Sequence, residues 1–177
     1  MTAALEISGV VKDYKGLRPL RIEQLTALPG EQIALFGLDA PAAEILVNLI
    51  TGTSLPDRGG IRGFGERTSD IQDSDAWMTF VCRLGIVTER TVLLDALSVA
   101  QNLAIPFSLE VERVPPDLRT GAVTLAHEVG LAASLLDSPV GGLEQTARLR
   151  VRLGRGLALN PALVLIEHPS SNVSRDQ

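Results

Sequence analysis

The stretch "IALFGLDAPAAEILVNLITG", Ile33 to Gly52, decides the fold of this chain. Its first four residues are apolar and stop at Gly37; Ile45, Leu46, Leu49 and Ile50 then recur at helical spacing until Gly52. A short buried strand, a tight loop and an amphipathic helix in succession are the layout of a loop that cradles phosphates at a helix N-terminus. Against the pattern G-x-x-x-x-G-K-[ST], however, only Gly37 matches. Ala42 stands at the second glycine, Ala43 at the lysine and Glu44 at the hydroxyl residue. The layout is kept and its chemistry is replaced.

Each replacement has a physical consequence. Such a loop presents successive backbone N–H groups to the phosphates, its lysine reaches the β- and γ-phosphates, and its hydroxyl binds Mg²⁺. Pro41 has no N–H to offer. It also biases Ala40 away from helical geometry, which predicts Pro41 as the first helical residue. Asp39, just before the helix, and Glu44, in its first turn or just past it, complement the helix dipole where a phosphate would bind. One positive charge is lost and two negative ones are gained. A like-charge contact at ~4 Å costs ~4 kcal/mol at an effective dielectric near 20. Triphosphate binding is therefore expected to be weak or absent, the segment reading as a strand–turn–helix unit with an acidic start. The alternative is an unusual mode with Mg²⁺ held by Glu44 and Glu167.

Composition sets the frame. A length of 177 residues suits one domain, and 45% apolar with 21% charged residues is ordinary for a globular protein. The net charge of −5 argues against nucleic acid as a partner. The one basic cluster, Arg148, Arg150, Arg152 and Arg155, lies on a helical stretch and reads as a solvated face. Cys82 is alone, so no disulfide framework is expected. His127 and His168 lack companions at metal-ligand spacing. "MTAALEISG" is not a signal sequence, and no apolar run reaches the ~18 residues that span a bilayer, so a cytoplasmic location is expected.

Along the chain, "LEISGVVKDY" and "RPLRIEQLTAL" read as strands joined by a turn at Gly16, with a second turn at "PGEQ". "GGIRGFGE" reads as a glycine-rich hairpin and "FVCRLGIVTE", Phe80 to Glu89, as a strand. Ser98 to Leu136 is helical in pattern, broken at Pro106 and at Pro115-Pro116, and Leu143 to Leu159 is a further helix closed by Asn160-Pro161. "ALVLIE", Ala162 to Glu167, is a continuous apolar run of the kind buried on both faces of a parallel sheet. The order predicts an α/β domain with a helical insert. The polar tail "SSNVSRDQ" follows the last strand closely, so the domain is expected to be short at its C-terminus.

In order and spacing these segments resemble the nucleotide-binding domain of ATP-binding cassette (ABC) transporters over essentially the whole chain. "LEISGVVKDYKGLRPL" resembles the opening strands, with Tyr14 at the adenine-stacking aromatic. "LGIVTERTVLLDALSVAQNL" is similar to the Q-loop and the segment facing the transmembrane subunit. "LEQTARLRVRLGRGLALNPALVLIEHPSSN" is similar to the signature motif, its helix, the Walker B strand and the D-loop. The resemblance implies a P-loop NTPase-like fold of ABC type, with a mostly parallel core sheet, an antiparallel β subdomain and a helical insert. Residues 1–88 and 162–177 would be the core and β subdomain, and 98–142 the helical subdomain.

By the same resemblance, Tyr14, Gly37, Leu38, Asp39, Ala40, Pro41, Ala42, Ala43, Glu44, Ile45 and Glu89 occupy ATP-site positions. Glu167 and His168 occupy the Walker B carboxylate and catalytic glutamate positions. Glu89 stands where the Q-loop glutamine belongs. Leu143 to Ala147 stand where L-S-G-G-Q belongs, a frame preferred over the tempting "GGLEQ" at Gly141. Ser174 stands at the D-loop aspartate. His168 as a general base would have no held phosphate to act upon, so a histidine capping the sheet edge before Pro169 is expected instead. The resemblance implies ATP and Mg²⁺ as cofactors, binding weakly or not at all here. It implies a permease subunit and a second nucleotide-binding domain as partners, with a peripheral place on the inner face of the membrane. "LSVAQNLAIPFSL" is similar to the lipid-transport (Mla-type) branch. An active ATPase subunit, or an acidic binding module unrelated to transport, are the competing functions.

Overall fold

Alternating side chains build β1 (Leu5–Lys12) and β2 (Leu20–Ala27) as an antiparallel pair, in register from Leu5 opposite Ala27 to Lys12 opposite Leu20. β3 (Arg58–Gly63) pairs with the other edge of β1 and β4 (Glu66–Arg67) with β3, giving the order β2-β1-β3-β4. The expected glycine hairpin is the β3–β4 connection. Phe64 and Gly65 both take positive φ, 55° and 87°, as a two-residue turn between twisted strands requires. A register shift in β1 at Gly9, whose φ is 59°, bulges the strand where Gly59 passes against its backbone.

The computed structural model describes residues 2–108, 110 and 113–168. The chain divides into two compact units, Met1–Leu84 and Gly85–Gln177. In the first, Ile7, Val10 and Ile61 of the sheet are fully buried, and α1 (Ala40–Ile50) lies against β3 with Leu46, Leu49 and Ile50 buried. Gly52, at φ 74°, follows the end of α1 as expected.

Two expectations fail in this unit. Ile33 to Phe36 is not a buried strand: it pairs with no strand among the described residues, and Ile33, Leu35 and Phe36 are 44%, 46% and 91% exposed. An apolar run becomes a strand only when another edge satisfies its backbone. The strand expected over Phe80 to Glu89 is also cut short. Its first residues close the helix α2 (Ser74–Val81), started by the Asp73 carboxylate, which accepts the Asp75 and Ala76 N–H groups at 3.2 and 3.0 Å. Trp77, Phe80 and Val81 have helical spacing, a period hidden by the β-formers around them. The Trp77 indole donates to the Thr51 carbonyl at 2.9 Å, and Phe80 packs so closely on Gly63 that a Cβ there would lie 2.6 Å from the ring.

The second unit holds β5 (Leu84–Val87), α3 (Val99–Ala104), α4 (Pro116–Glu128), α5 (Gln145–Leu157) and β6 (Leu163–Ile166), with β5 and β6 forming a separate sheet. The prolines break the helices as expected. α5 starts two residues after the expected Leu143, because Val140–Gly142 forms a 3-10 turn before it. β6 is half-buried, with Ile166 50% exposed, rather than buried on both faces; β5 is its one strand neighbour among the described residues. Gly85 of β5 meets α5 at the Gly156 carbonyl, where a Cβ would come within 2.5 Å.

The core of this unit joins Val99, Leu103, Leu125, Val129, Val140 and Val151 from the three helices and the turn before α5. Within it Asn102 is fully buried and every polar atom is used. Its Oδ1 accepts the Leu94 N–H at 2.9 Å, and its Nδ2 donates to the carbonyls of Leu94, Leu97 and Ser98 at 3.1, 3.3 and 3.0 Å. A residue read as part of a helical pattern is thus the pin that shapes the loop before α3. Asn102→Leu strips several buried groups of partners at once and should destabilise the chain by about 2–4 kcal/mol in denaturant unfolding.

The first unit carries one pH-sensitive contact. The Asp57 carboxylate accepts the Asp13 N–H at 2.7 Å and the Lys12 ammonium at 3.1 Å, tying the end of β1 to the start of β3. The Asp13 bond, then Lys12, hold its pKa below the ordinary 3.8. A depressed carboxylate stabilises above its unfolded pKa, and the contribution is lost as pH falls through the folded value. In an NMR titration, Asp57 should therefore titrate below 3.8, and Lys12→Ala should move it upward.

Candidate functional site

The loop before α1 is where the sequence asks its main question. Gly37 takes φ 83°, and Asp39 caps a helix whose first residue is Ala40 and second Pro41, one position earlier than expected. The Asp39 carboxylate accepts the Ala42 N–H at 2.9 Å, and its carbonyl accepts the Ala43 N–H at 2.9 Å. Pro41 contributes no donor, so of the N–H groups from 40 to 43 only that of Ala40 stays outside this arrangement. Ala42 and Ala43, at the second glycine and lysine positions, are buried against the helix core. Leu38, half-buried, and Asp39, exposed, form the approach, and Glu44 and Ile45 lie half-buried just past the first turn.

A helix start can hold one anion well, and here the anion is part of the chain. Of the groups that a phosphate cradle presents, the Ala42 and Ala43 N–H groups are taken by Asp39, while a donor at Pro41, the lysine and the hydroxyl are absent. These residues do not fit a triphosphate.

Tyr14, at the expected adenine-stacking position, is half-buried with its ring against Gly16; a Cβ on Gly16 would sit 2.6 Å from the ring. That glycine lets the aromatic fold back on its own turn.

In the second unit, β5 and β6 bring Glu167, expected at the Walker B carboxylate, beside Thr88 and Arg90, the residues on either side of Glu89. Glu167 donates its backbone N–H to the Val87 carbonyl at 2.9 Å, which places its side chain beside Thr88 and Arg90. One carboxylate oxygen accepts the Thr88 hydroxyl at 2.8 Å, and the other accepts the Arg90 guanidinium at 2.6 Å. The Glu167 side chain is only 9% exposed. Mg²⁺ demands near-octahedral oxygen ligands at about 2.0–2.1 Å. A carboxylate whose two oxygens already face a cation and a hydroxyl does not fit that ion. His168 follows, exposed and at φ 40°, while Pro169 and the D-loop position Ser174 lie outside the described residues.

Glu89, exposed, borders a cleft of about 410 Å³ with Asp95, Gly141, Leu143, Gln145, Arg148 and Arg152. The positions expected for the signature motif, Leu143 to Ala147, begin here. Leu143 packs on the core, Glu144 caps α5 without a side-chain bond, Gln145 and Thr146 start the helix, and Ala147 is buried.

The basic cluster is not a solvated face. Arg148 donates to the Val140 carbonyl at 2.9 Å and pairs with Asp95 at 2.8 Å; Arg150 donates to the Gly130 carbonyl. Arg152 and Arg155 donate to the carbonyls of Thr91 and Val92 at 3.2 and 2.7 Å. All four brace loop or turn carbonyls, and burial pulls Arg155 below the usual guanidinium range. Sequence reasoning missed these partners, and it missed Thr88 and Arg90. The one available hint was an arginine set directly beside the Q-loop position.

The Asp39 cap is directly testable. Asp39→Ala should cost about 1 kcal/mol in denaturant unfolding, and Asp39→Asn much less, since Asn caps nearly as well.

No family model matches the chain. The lipoprotein-releasing system ATP-binding protein LolD of Anaeromyxobacter dehalogenans is 33% identical over 179 residues, spanning 97% of this chain and 73% of that protein. The ribose import ATP-binding protein RbsA of a Jannaschia species is 26% identical over 98% of this chain but 33% of its own length. Among solved structures, cbiO1 of Clostridium perfringens, part of the ABC transporter complex cbiONQ, matches 98% of this chain and 68% of its own, with a TM-score of 0.80 and 18% identity. The ATP-binding cassette MJ0796, a dimer bound to ADP and Pi, gives a TM-score of 0.78 and 21% identity over 97% of this chain and 77% of that chain. The structural likeness establishes the mixed α/β, P-loop NTPase-like fold, and the LolD relative carries the family with it. The chain belongs to the nucleotide-binding domains of the ABC transporters.

Proposed function

We propose that this chain is an ABC transporter ATP-binding subunit in ancestry and assembly, with nucleotide binding and hydrolysis weak or absent. The observation that carries the reading is the Asp39 carboxylate on the Ala42 N–H, an internal anion at the helix start where a phosphate would have to bind. The replaced lysine and hydroxyl positions, Ala43 and Glu44, support it. The role left to the domain is interaction: with a permease through residues 91–105 and the helical subdomain 98–142, and with a second nucleotide-binding domain. That places it peripherally on the inner face of the membrane. No helix among the described residues is long and apolar enough to cross a bilayer.

The second reading is an active ATP-binding subunit, favoured by relatives named as ATP-binding proteins over nearly the whole chain. Their names also point to lipoprotein release, which agrees in chemical class with the lipid-transport likeness of "LSVAQNLAIPFSL" and makes a lipidic cargo the inferred one. Calorimetry separates the two readings. The expected result is no heat at millimolar Mg-ATP. Micromolar affinity, or turnover that disappears in Glu167→Ala, establishes the active subunit instead.

A further inference from the structure

We propose that Arg90 is a built-in replacement for the divalent cation at Glu167, holding the segment after β5 to the end of β6 without metal or nucleotide. This deepens the reading above, and rests on it only for the assignment of Glu167 to the Walker B position. The geometry is specific. The Glu167 backbone is joined to Val87 at the β5–β6 junction, which sets where its side chain starts. Its two oxygens are divided between the Arg90 guanidinium at 2.6 Å and the Thr88 hydroxyl at 2.8 Å.

Thr88 also accepts the Arg90 N–H on its hydroxyl oxygen at 3.3 Å, so the turn that carries the arginine is shaped by the same side chain that contacts the carboxylate. The next two residues are held from another side. The Thr91 and Val92 carbonyls accept Arg152 and Arg155 of α5. Residues 88–92 therefore lie between two fixed sets of arginine contacts, one reaching β6 and one coming from α5.

A charge-assisted bond of this length to a nearly buried carboxylate is among the stronger polar contacts a protein makes. A guanidinium is also permanently charged and cannot dissociate as a bound ion does. A second cation brought to the same carboxylate meets like charge at contact distance. The junction is therefore closed at all metal concentrations. A segment that a bound ion would tie down reversibly is here tied down permanently.

The test is amide hydrogen exchange on the full chain without nucleotide, for wild type, Arg90→Ala and Arg90→Lys, with and without millimolar MgCl₂. Arg90→Ala should speed exchange of the Glu167 amide and of residues 90–92 by roughly tenfold or more. Arg90→Lys, which keeps the charge, should retain most of the protection, showing that the effect is local and not a loss of folding. Wild-type protection should not change with Mg²⁺. Unchanged exchange in Arg90→Ala, or wild-type protection that rises with Mg²⁺, overturns the proposal. Because no ATP is present, these outcomes are independent of whether the chain hydrolyses nucleotide.

Discussion

An α-helix ends in unpaired N–H groups at its start, and whatever satisfies them decides what that end can do. In α1 the satisfying group is the Asp39 side chain, which lies three residues before the amide it accepts. Because the helix begins at Ala40, only Leu38 and Asp39 separate the positive-φ Gly37 from the first helical residue. A capping carboxylate and a bound phosphate use the same donors and the same end of the dipole, so they compete for one place. In this structure the Asp39 carboxylate holds that place.

The same principle recurs at the end of β6, with the sign reversed. Glu167 is a carboxylate nearly removed from water, and burying such a charge is costly unless it is paired and hydrogen-bonded. Thr88 and Arg90 meet that demand from within the chain. The carboxylates of Asp39 and Glu167 thus both have partners within the chain. Compensation from within satisfies each of these local structures.

The arginines of α5 extend this logic to neutral partners. Their carbonyl acceptors at Thr91, Val92 and Gly130 lie in connections, and the fourth, Val140, lies in the 3-10 turn before α5, where it also accepts the Leu143 N–H. Asn102 does comparable work from inside the core, closing the loop before α3 with four hydrogen bonds. The helical unit is therefore shaped as much by side chains holding loop backbone as by its apolar cluster. Nothing in the spacing of four arginines on a helix distinguishes this from a solvated face, because periodicity records which side of a helix a residue lies on and not what waits there.

Local pattern alone determined a good deal: the β1–β2 hairpin, the glycine turn at Phe64-Gly65, the α1 period ending at Gly52, the helix breaks at the prolines, and the family order of the segments. These follow from interactions between near neighbours, which short sequence windows contain. Asp39 beside Pro41 likewise announced a helix start with an acidic cap. Tertiary structure alone decided that Ile33 to Phe36 is exposed rather than a buried strand, that Phe80 closes a helix, and that Glu167 belongs to Arg90, 77 residues away in sequence. Strand pairing and charge pairing depend on which distant groups arrive alongside. A residue's own neighbours along the chain hold no record of that.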